Sequence, residues 1–474
     1  MKALHILIFI VAAVLFGSVF GNVGGVMPTG AAKSNKAINQ NQQEPVAQGS
    51  SSDLWQDVDG KSLANFRIRQ QHGPRSFRSL KLNTESMKAL LSRAPAESLR
   101  SMPTEKITLE LPRPDGGFMR FNIEDSPIME AELARRYPEI KTYRGQGIDD
   151  PTATTRLDYT QFGFHAIILT TTGTILIEPD SLGDVTNYVA YFNNQIPQGT
   201  FQCDVDEASQ EVAAVQPEQL KRYRGGIRPN VFSGTNLRTY RLAVAATAEY
   251  TQAYGGGTVG GGLAAVTTTV NFVNGIYERE VAIRMVLIGN NDSIIFTDTN
   301  TDGYTSDNQG ALLTQNQTKL DTVIGSENYD IGHVFDGRIL SGGAFSWRGV
   351  ASIASVCKSG GANPNIKAQG VSIARSLFPN NTYQIYSVSH EMGHQFGATH
   401  TFNATSGECG GQRSSITAYE PGTGSTIMGY RLNCSPEDLS STDHYFHIAS
   451  LEQITAYTTA VSYTHLTLPT IYSV

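Results

Sequence analysis

The sequence predicts an α/β (α+β) fold for its second half and a β-rich unit ahead of it, on three observations. From residue 237 onward, stretches with strand patterning alternate with longer stretches of helical spacing, which argues for a sheet covered by helices. Before that point, short alternating segments punctuated by Asp115-Gly116-Gly117 and Thr172-Gly173 give strands. At 474 residues the chain exceeds one typical domain, so two folded units plus tails are expected. Charged residues make up 17% and the net charge is only -7, so no basic face points to nucleic acid.

Taken in order, residues 1–21 read as a signal peptide: Lys2 precedes an apolar run at 6–16, and small residues up to Gly21 suit cleavage. That run is shorter than the ~20 residues a membrane span needs, and no later stretch is long and apolar enough. Export without stable membrane insertion is therefore expected. Residues 22–52, rich in Asn, Gln, Ala, Gly and Ser, read as a disordered leader. The first folded unit covers 53–217, with strands at 107–111, 118–123, 163–169, 174–177 and 187–192. His72 and His165 stand alone in it, as structural histidines do. A linker at 218–236 carries Lys221-Arg222 and Arg224 beside Gly225-Gly226, which suits either a plain joint or a protease cut.

The second unit, 237–460, opens on a strand at 237–246. Leu263, Val266, Val270, Val273 and Tyr277 then recur at helical spacing, predicting a helix over 263–280. A buried strand at 281–288, a helix at 311–324 and strands at 329–335, 350–356 and 371–377 follow. The last elements are a helix at 383–396 and a C-terminal helix through 448–456. Residues 461–474 look unlike protein sequence, so no fold is expected of them, and the natural chain is expected to continue into further domains.

The most specific signal is His390-Glu391-Met392-Gly393-His394-Gln395-Phe396-Gly397-Ala398-Thr399-His400. On a helix, His390 and His394 lie one turn apart on one face, so both imidazoles can grip one ion. Glu391 projects from the neighbouring edge, where it can hold and deprotonate a water beside the metal. Gly397 lets the chain leave the helix through a left-handed conformation that turns His400 back toward the ion. Three neutral imidazoles with one open position make a catalytic rather than a closed structural zinc arrangement.

This long signature resembles that of the metzincin clan, which also carries a methionine-bearing turn. Ser425-Thr426-Ile427-Met428-Gly429-Tyr430 fits that turn. With residues 237–243 and 329–335, the segment 235–457 is similar to the catalytic domain of bacterial reprolysin-like, adamalysin-related metallopeptidases. The resemblance implies a zinc metalloendopeptidase acting on protein or peptide substrates, with His390, His394 and His400 on the metal and Glu391 catalytic. It implies a mixed five-stranded sheet with long helices, a small C-terminal lobe, and substrate antiparallel along an edge strand around 342–356. By the same resemblance residues 53–217 are an inhibitory prodomain, making the chain a secreted zymogen.

Two positions depart from the pattern. Thr401 stands where adamalysins carry Asp. Tyr430 is unlike many adamalysins but matches a tyrosine that ligates zinc or stabilises an oxyanion in astacin-like and serralysin-like enzymes; packing in the turn is its other reading. The four cysteines permit three disulfide pairings. Cys409–Cys434 is the favoured one, because it ties down the cleft floor. Cys203 either fills the open zinc position as a thiolate, as in related families, or pairs with Cys357. Residues 298–309 begin like a calcium loop, but the twelfth position is Gln309 rather than Glu, so a solvated turn is the stronger reading. His444 and His447 read as packing groups rather than ligands. The alternative for the whole chain is a catalytically silent adhesion or binding protein on the same scaffold; the intact Glu391 and three histidines favour the enzyme.

Overall fold

The computed structural model describes residues 54–65, 73–97, 106–196, 199–205, 236–339, 346–359, 365–376, 382–430, 434–439, 443–464 and 472–473. The expected signal peptide, the leader, His72, residues 218–235 of the linker and most of 461–474 lie outside the described residues. All described residues belong to one unit, Gln48–Val474.

Nine strands build the first sheet: β1 (Trp55–Asp57), β2 (Arg78–Leu82), β3 (Ile107–Pro112), β4 (Phe118–Asp125), β5 (Lys141–Gly147), β6 (Thr154–Thr160), β7 (Gly163–Thr170), β8 (Gly173–Pro179) and β9 (Asn187–Phe192). They run antiparallel in the order β1-β2-β9-β8-β7-β6-β5-β4-β3. Both faces are covered, which explains why β7 to β9 read as apolar runs. Ala166, Ile168, Ile175, Ile177, Tyr188 and Ala190 point into one core with Met87 and Leu91 of helix α1 (Thr84–Leu91). Ile167, Leu169, Leu176, Val189 and Tyr191 point into a second core shared with the C-terminal half.

β10 (Thr200–Cys203) closes the N-terminal half, and the C-terminal half supplies β11 (Asn236–Ala246), β12 (Ile283–Leu287), β13 (Ile331–Ile339), β14 (Ser346–Ala351) and β15 (Gly370–Ser376). The expected sheet of five strands is extended to six along its path, β10-β14-β15-β13-β11-β12, because β10 joins it. β10 runs parallel to β14, and β14 antiparallel to β15; the other neighbours on this path are parallel. β14, expected as an open edge, is therefore covered. A two-residue β16 (Tyr472–Ser473) pairs with β11 off this path. At the far edge the Leu287 N–H donates to the Ile128 carbonyl and the Glu130 N–H to the Leu287 carbonyl. The N-terminal chain thus supplies backbone partners at both edges, which would otherwise present open N–H and C=O groups.

The strand expected at 350–356 ends early, at Ala351. Ala354 and Cys357 adopt positive φ (55° and 61°), and the Tyr457 hydroxyl donates to the Ala354 and Val356 carbonyls at 2.8 and 2.7 Å. An apolar run becomes a turn because the Tyr457 hydroxyl serves two of its carbonyls while the His394, Gln395 and Asp330 carbonyls accept from its N–H groups.

Helix α2 (Ala131–Arg136) belongs to the N-terminal half, while α3 (Ala248–Tyr254), α4 (Val259–Val281), α5 (Gln309–Val323), α6 (Thr382–Gln395) and α7 (Ile448–Thr464) surround the second sheet. The last of these runs past the expected residue 456. Helix α4 starts with the Thr258 hydroxyl accepting from the Gly261 N–H and ends at Ala282 in a left-handed conformation. It lies between the two sheets. Leu263, Val266, Val270, Val273 and Tyr277 are buried in the core, as their spacing predicts. The opposite face is small and polar: Thr268 donates to Asp158 at 3.1 Å, Asn271 to the Leu157 carbonyl at 3.0 Å, and Gly275 lies against Arg156.

At the end of that face, Glu278 accepts from Arg156 and from Arg284, while Arg284 also pairs with Glu97 at 2.7 Å and Glu97 with Arg144 at 2.7 Å. This largely buried network joins the halves. Burial pushes the Glu278 carboxyl up, but Arg156 and Arg284 outweigh it and hold the group at about 2, against an ordinary 4.5. Because the folded value is depressed, this stabilisation is complete above pH 4.5 and is lost as the pH falls toward 2. Glu278→Gln should destabilise the chain at neutral pH by the ~3–5 kcal/mol typical of a broken buried pair. It should also flatten the acid dependence, and denaturant unfolding measured across that pH window checks both.

Candidate metal centre

Helix α6 carries His390, Glu391 and His394, and it lies against β14 and β15 through its buried face. After Gln395 the chain leaves the helix through Gly397 at φ 92°, a conformation that favours glycine, and His400 returns to the first two histidines. All three imidazoles are fully buried. Their Nε2 atoms stand 3.1, 3.2 and 3.2 Å apart.

The outer nitrogens explain that convergence. His390 Nδ1 lies 2.6 Å from the Ile427 carbonyl, His394 Nδ1 2.8 Å from the Ala398 carbonyl, and His400 Nδ1 2.7 Å from the Gln412 carbonyl. A carbonyl can only accept, so each Nδ1 bears the proton and each Nε2 presents a lone pair. Burial, then the neighbouring His400, pushes His390 and His394 well below the usual imidazole range, which keeps them neutral. Three lone pairs facing one another in a dry site repel unless a cation sits among them. The spacing suits one: tetrahedral ligands ~2.0–2.1 Å from a zinc ion stand about 3.3 Å apart.

Cys203 completes the group. The ligand atoms of Cys203, His390, His394 and His400 all lie within 4.8 Å of one another. Cys203 Sγ is 3.6 Å from His394 Nε2 and 3.6 Å from Glu391 Oε2. Its backbone is set by β10, where Cys203 registers with Gly349 and the Asp204 N–H donates to the Gly349 carbonyl at 3.0 Å. Gly349 is required here: a Cβ would come within 2.1 Å of Glu391 Oε1. Glu391 is fully buried, its Oε1 has no hydrogen-bond partner among the described residues, and burial holds its carboxyl well above the ordinary carboxylate range. A carboxyl so placed is suited to exchanging a proton.

The expected methionine turn lies alongside. The Thr401 N–H donates to the Met428 carbonyl at 3.1 Å, and the Met428 sulfur lies against Gly393. Tyr430 is fully buried; its hydroxyl donates to the Cys203 carbonyl, and its ring packs on His400 at 4.7 Å and Phe402 at 4.6 Å. Phe201, two residues before Cys203, inserts edge-on among Tyr386, His390 and Tyr430. No local sequence signal marks Phe201 or Gly349, since both depend on strand pairing between distant segments.

The remaining sequence candidates go elsewhere. Cys409 and Cys434 form the favoured disulfide, while Cys203 and Cys357 form none. His165 meets Asp158 at 2.9 Å, His444 contacts Thr174, and His447 stacks on Tyr419. Asp298 accepts from Asn300 and Thr301, Asp302 from the Ala248 and Tyr304 N–H groups, and Gln309 donates to the Gly349 carbonyl, so the polar groups of 298–309 serve their own turn and its neighbours.

Similarity to known proteins follows the same region. The family model described as metallo-peptidase family M12B, reprolysin-like, matches residues 236–456. The crystal structure of metalloproteinase-II from Bacteroides fragilis is similar at 12% identity and a TM-score of 0.42, over 79% of this chain and 95% of that one, a likeness too weak to bear on function. No curated protein matches the chain. Residues 236–456, just under half of the chain, thus match the M12B reprolysin-like family of metallopeptidases.

Proposed function

We propose that the chain is a secreted zinc endopeptidase made as a zymogen, with His390, His394 and His400 as metal ligands, Glu391 as general base and acid, and residues 53–217 as the inhibitory prodomain. The observation that carries the reading is the convergence of three proton-free Nε2 atoms beside a buried, hydrogen-bond-deficient carboxyl. A zinc ion held by those atoms supplies Lewis acidity and lowers the pKa of water. Glu391 takes the proton from the attacking water and passes it to the leaving amine. The Tyr430 hydroxyl, which donates to the Cys203 carbonyl, is suited to donate to a substrate carbonyl once that segment leaves. The silent-scaffold alternative has no observation in its favour, because no ligand and no acid–base group has been lost.

Latency follows from Cys203. Its thiol lies where a substrate and water would meet the metal, and β10 runs parallel to β14, opposite to the direction expected of a substrate. Cleavage in the basic linker at 218–236 would release this block.

The place filled by Phe201 also bears on specificity. Phe201 registers with Trp347 on the N-terminal side of Gly349. A substrate running antiparallel to β14 carries its chain beyond the scissile bond toward that side. The pocket among Tyr386, His390 and Tyr430 therefore receives the residue that follows the cleaved bond, and it favours an aromatic one.

Three outcomes are expected. Glu391→Ala should hold zinc at the native stoichiometry yet lose at least about 100-fold in kcat, the lower end of acid–base contributions; near-native cleavage would refute the role. Full-length Cys203→Ser should cleave a peptide without processing, and latency equal to the native zymogen would remove the thiol block. In a peptide library, Phe or Tyr after the scissile bond should exceed Ala in kcat/KM by about 10–200-fold, as filling an apolar pocket allows; a flat preference would exclude the pocket assignment.

A further inference from the structure

The ligands arrive on two separate pieces of chain, two on helix α6 and His400 on the segment beyond it. Their relative position has to be held by something other than the helix. One buried carboxylate touches both pieces of backbone that orient them. Glu420, 7% exposed, accepts from the Thr401 hydroxyl at 2.7 Å, from the Ser425 N–H at 2.7 Å, from the Thr426 N–H at 3.1 Å, and from the Thr426 hydroxyl. Four donors fill the lone-pair sites that a carboxylate offers. Its own backbone N–H donates to the Thr401 carbonyl at 2.8 Å.

The consequences run to both ligands. Thr401 follows His400 directly. Thr426 precedes Ile427, whose carbonyl receives the His390 Nδ1 proton at 2.6 Å and so fixes that ring. The next residue, Met428, lies against the helix at Gly393. Moving the 425–426 turn relative to Thr401 would move the acceptor that orients His390 relative to the backbone that carries His400. Outer partners of this kind tune a metal site without touching the metal.

We infer that Glu420 is a positioning residue for the metal centre: its carboxylate locks Thr401 to Ser425 and Thr426 and thereby sets the spacing between His390 and His400. This rests on the zinc-peptidase reading above. The contact is between groups whose chemistry can be exchanged, which gives a test that simple loss of stability would not reproduce. In Glu420→Gln the charge is lost, and the amide oxygen can keep the Ser425 and Thr426 N–H groups only if the amide NH2 faces the Thr401 and Thr426 hydroxyls, which must then turn to accept. In Thr401→Asp two carboxylates meet. When both substitutions are combined, the carboxylate introduced at position 401 can accept from the amide introduced at position 420, which restores the attraction.

The experiment uses the full-length chain loaded with zinc. It follows zinc transfer to a colorimetric chelator and, separately, the unfolding midpoint of the zinc-loaded and the stripped protein. Glu420→Gln and Thr401→Asp should each speed zinc loss by about 10–100-fold, the range seen for such outer partners, with the double variant returning most of the way to the native rate. Thr401→Val, which removes one hydroxyl and keeps the shape, should speed it less and remains informative if Glu420→Gln does not fold. Native zinc-loss rates in all variants, equal losses of stability with and without zinc, or additive effects in the double variant would each overturn the proposal. A native chain that takes up no zinc would instead overturn the reading beneath it, and that result needs no variant.

Discussion

The candidate metal centre depends on three imidazole protons being fixed on its outer side. Each Nδ1 is held by a backbone carbonyl, from Ile427, Ala398 and Gln412, so each inner nitrogen is an acceptor. These carbonyls come from the methionine turn, the helix exit and the loop after the third histidine. The histidine cluster therefore depends on where three loops run as much as on one helix. Tautomer and convergence follow from those three hydrogen bonds and from burial.

The N-terminal half is joined to this arrangement at several places of different chemistry. A short parallel strand carries Cys203 to the centre at one sheet edge, a pair of backbone hydrogen bonds closes the other, and a chain of arginines and carboxylates crosses between them. Tyr137 and Arg136 add contacts to Asp292. The thiol at the centre is held in place by this whole set of contacts, because a four-residue strand alone would be a weak anchor.

Much of the site is legible in the chain, for a physical reason: the spacing of His390, Glu391 and His394 is local to one helix, and Gly397 marks the exit that brings back His400. The long helices are legible because Leu263 to Tyr277 keep a regular spacing. What stays hidden depends on partners far along the chain. β5 and β6 escape a sequence reading because they carry Arg144 and Arg156, whose charges suggest surface residues until Glu97 and Glu278 are seen beside them. The run at 350–356 reads as a strand until Tyr457 claims its carbonyls. Thr401 breaks the expected pattern, and the carboxylate it meets, Glu420, comes from well beyond the signature.

Helix α4 separates two kinds of surface, and that has a consequence for which half tolerates solitude. Toward the N-terminal sheet it offers Thr268, Asn271, Gly275 and Glu278, groups that water can serve as well as protein does. The sheet opposite offers Ile167, Leu169, Leu176, Val189 and Tyr191. Parting the halves would wet a hydrophilic helix on one side and strip the cover from a greasy sheet on the other. The C-terminal half would keep a face at ease in water, whereas the N-terminal half would expose an apolar one.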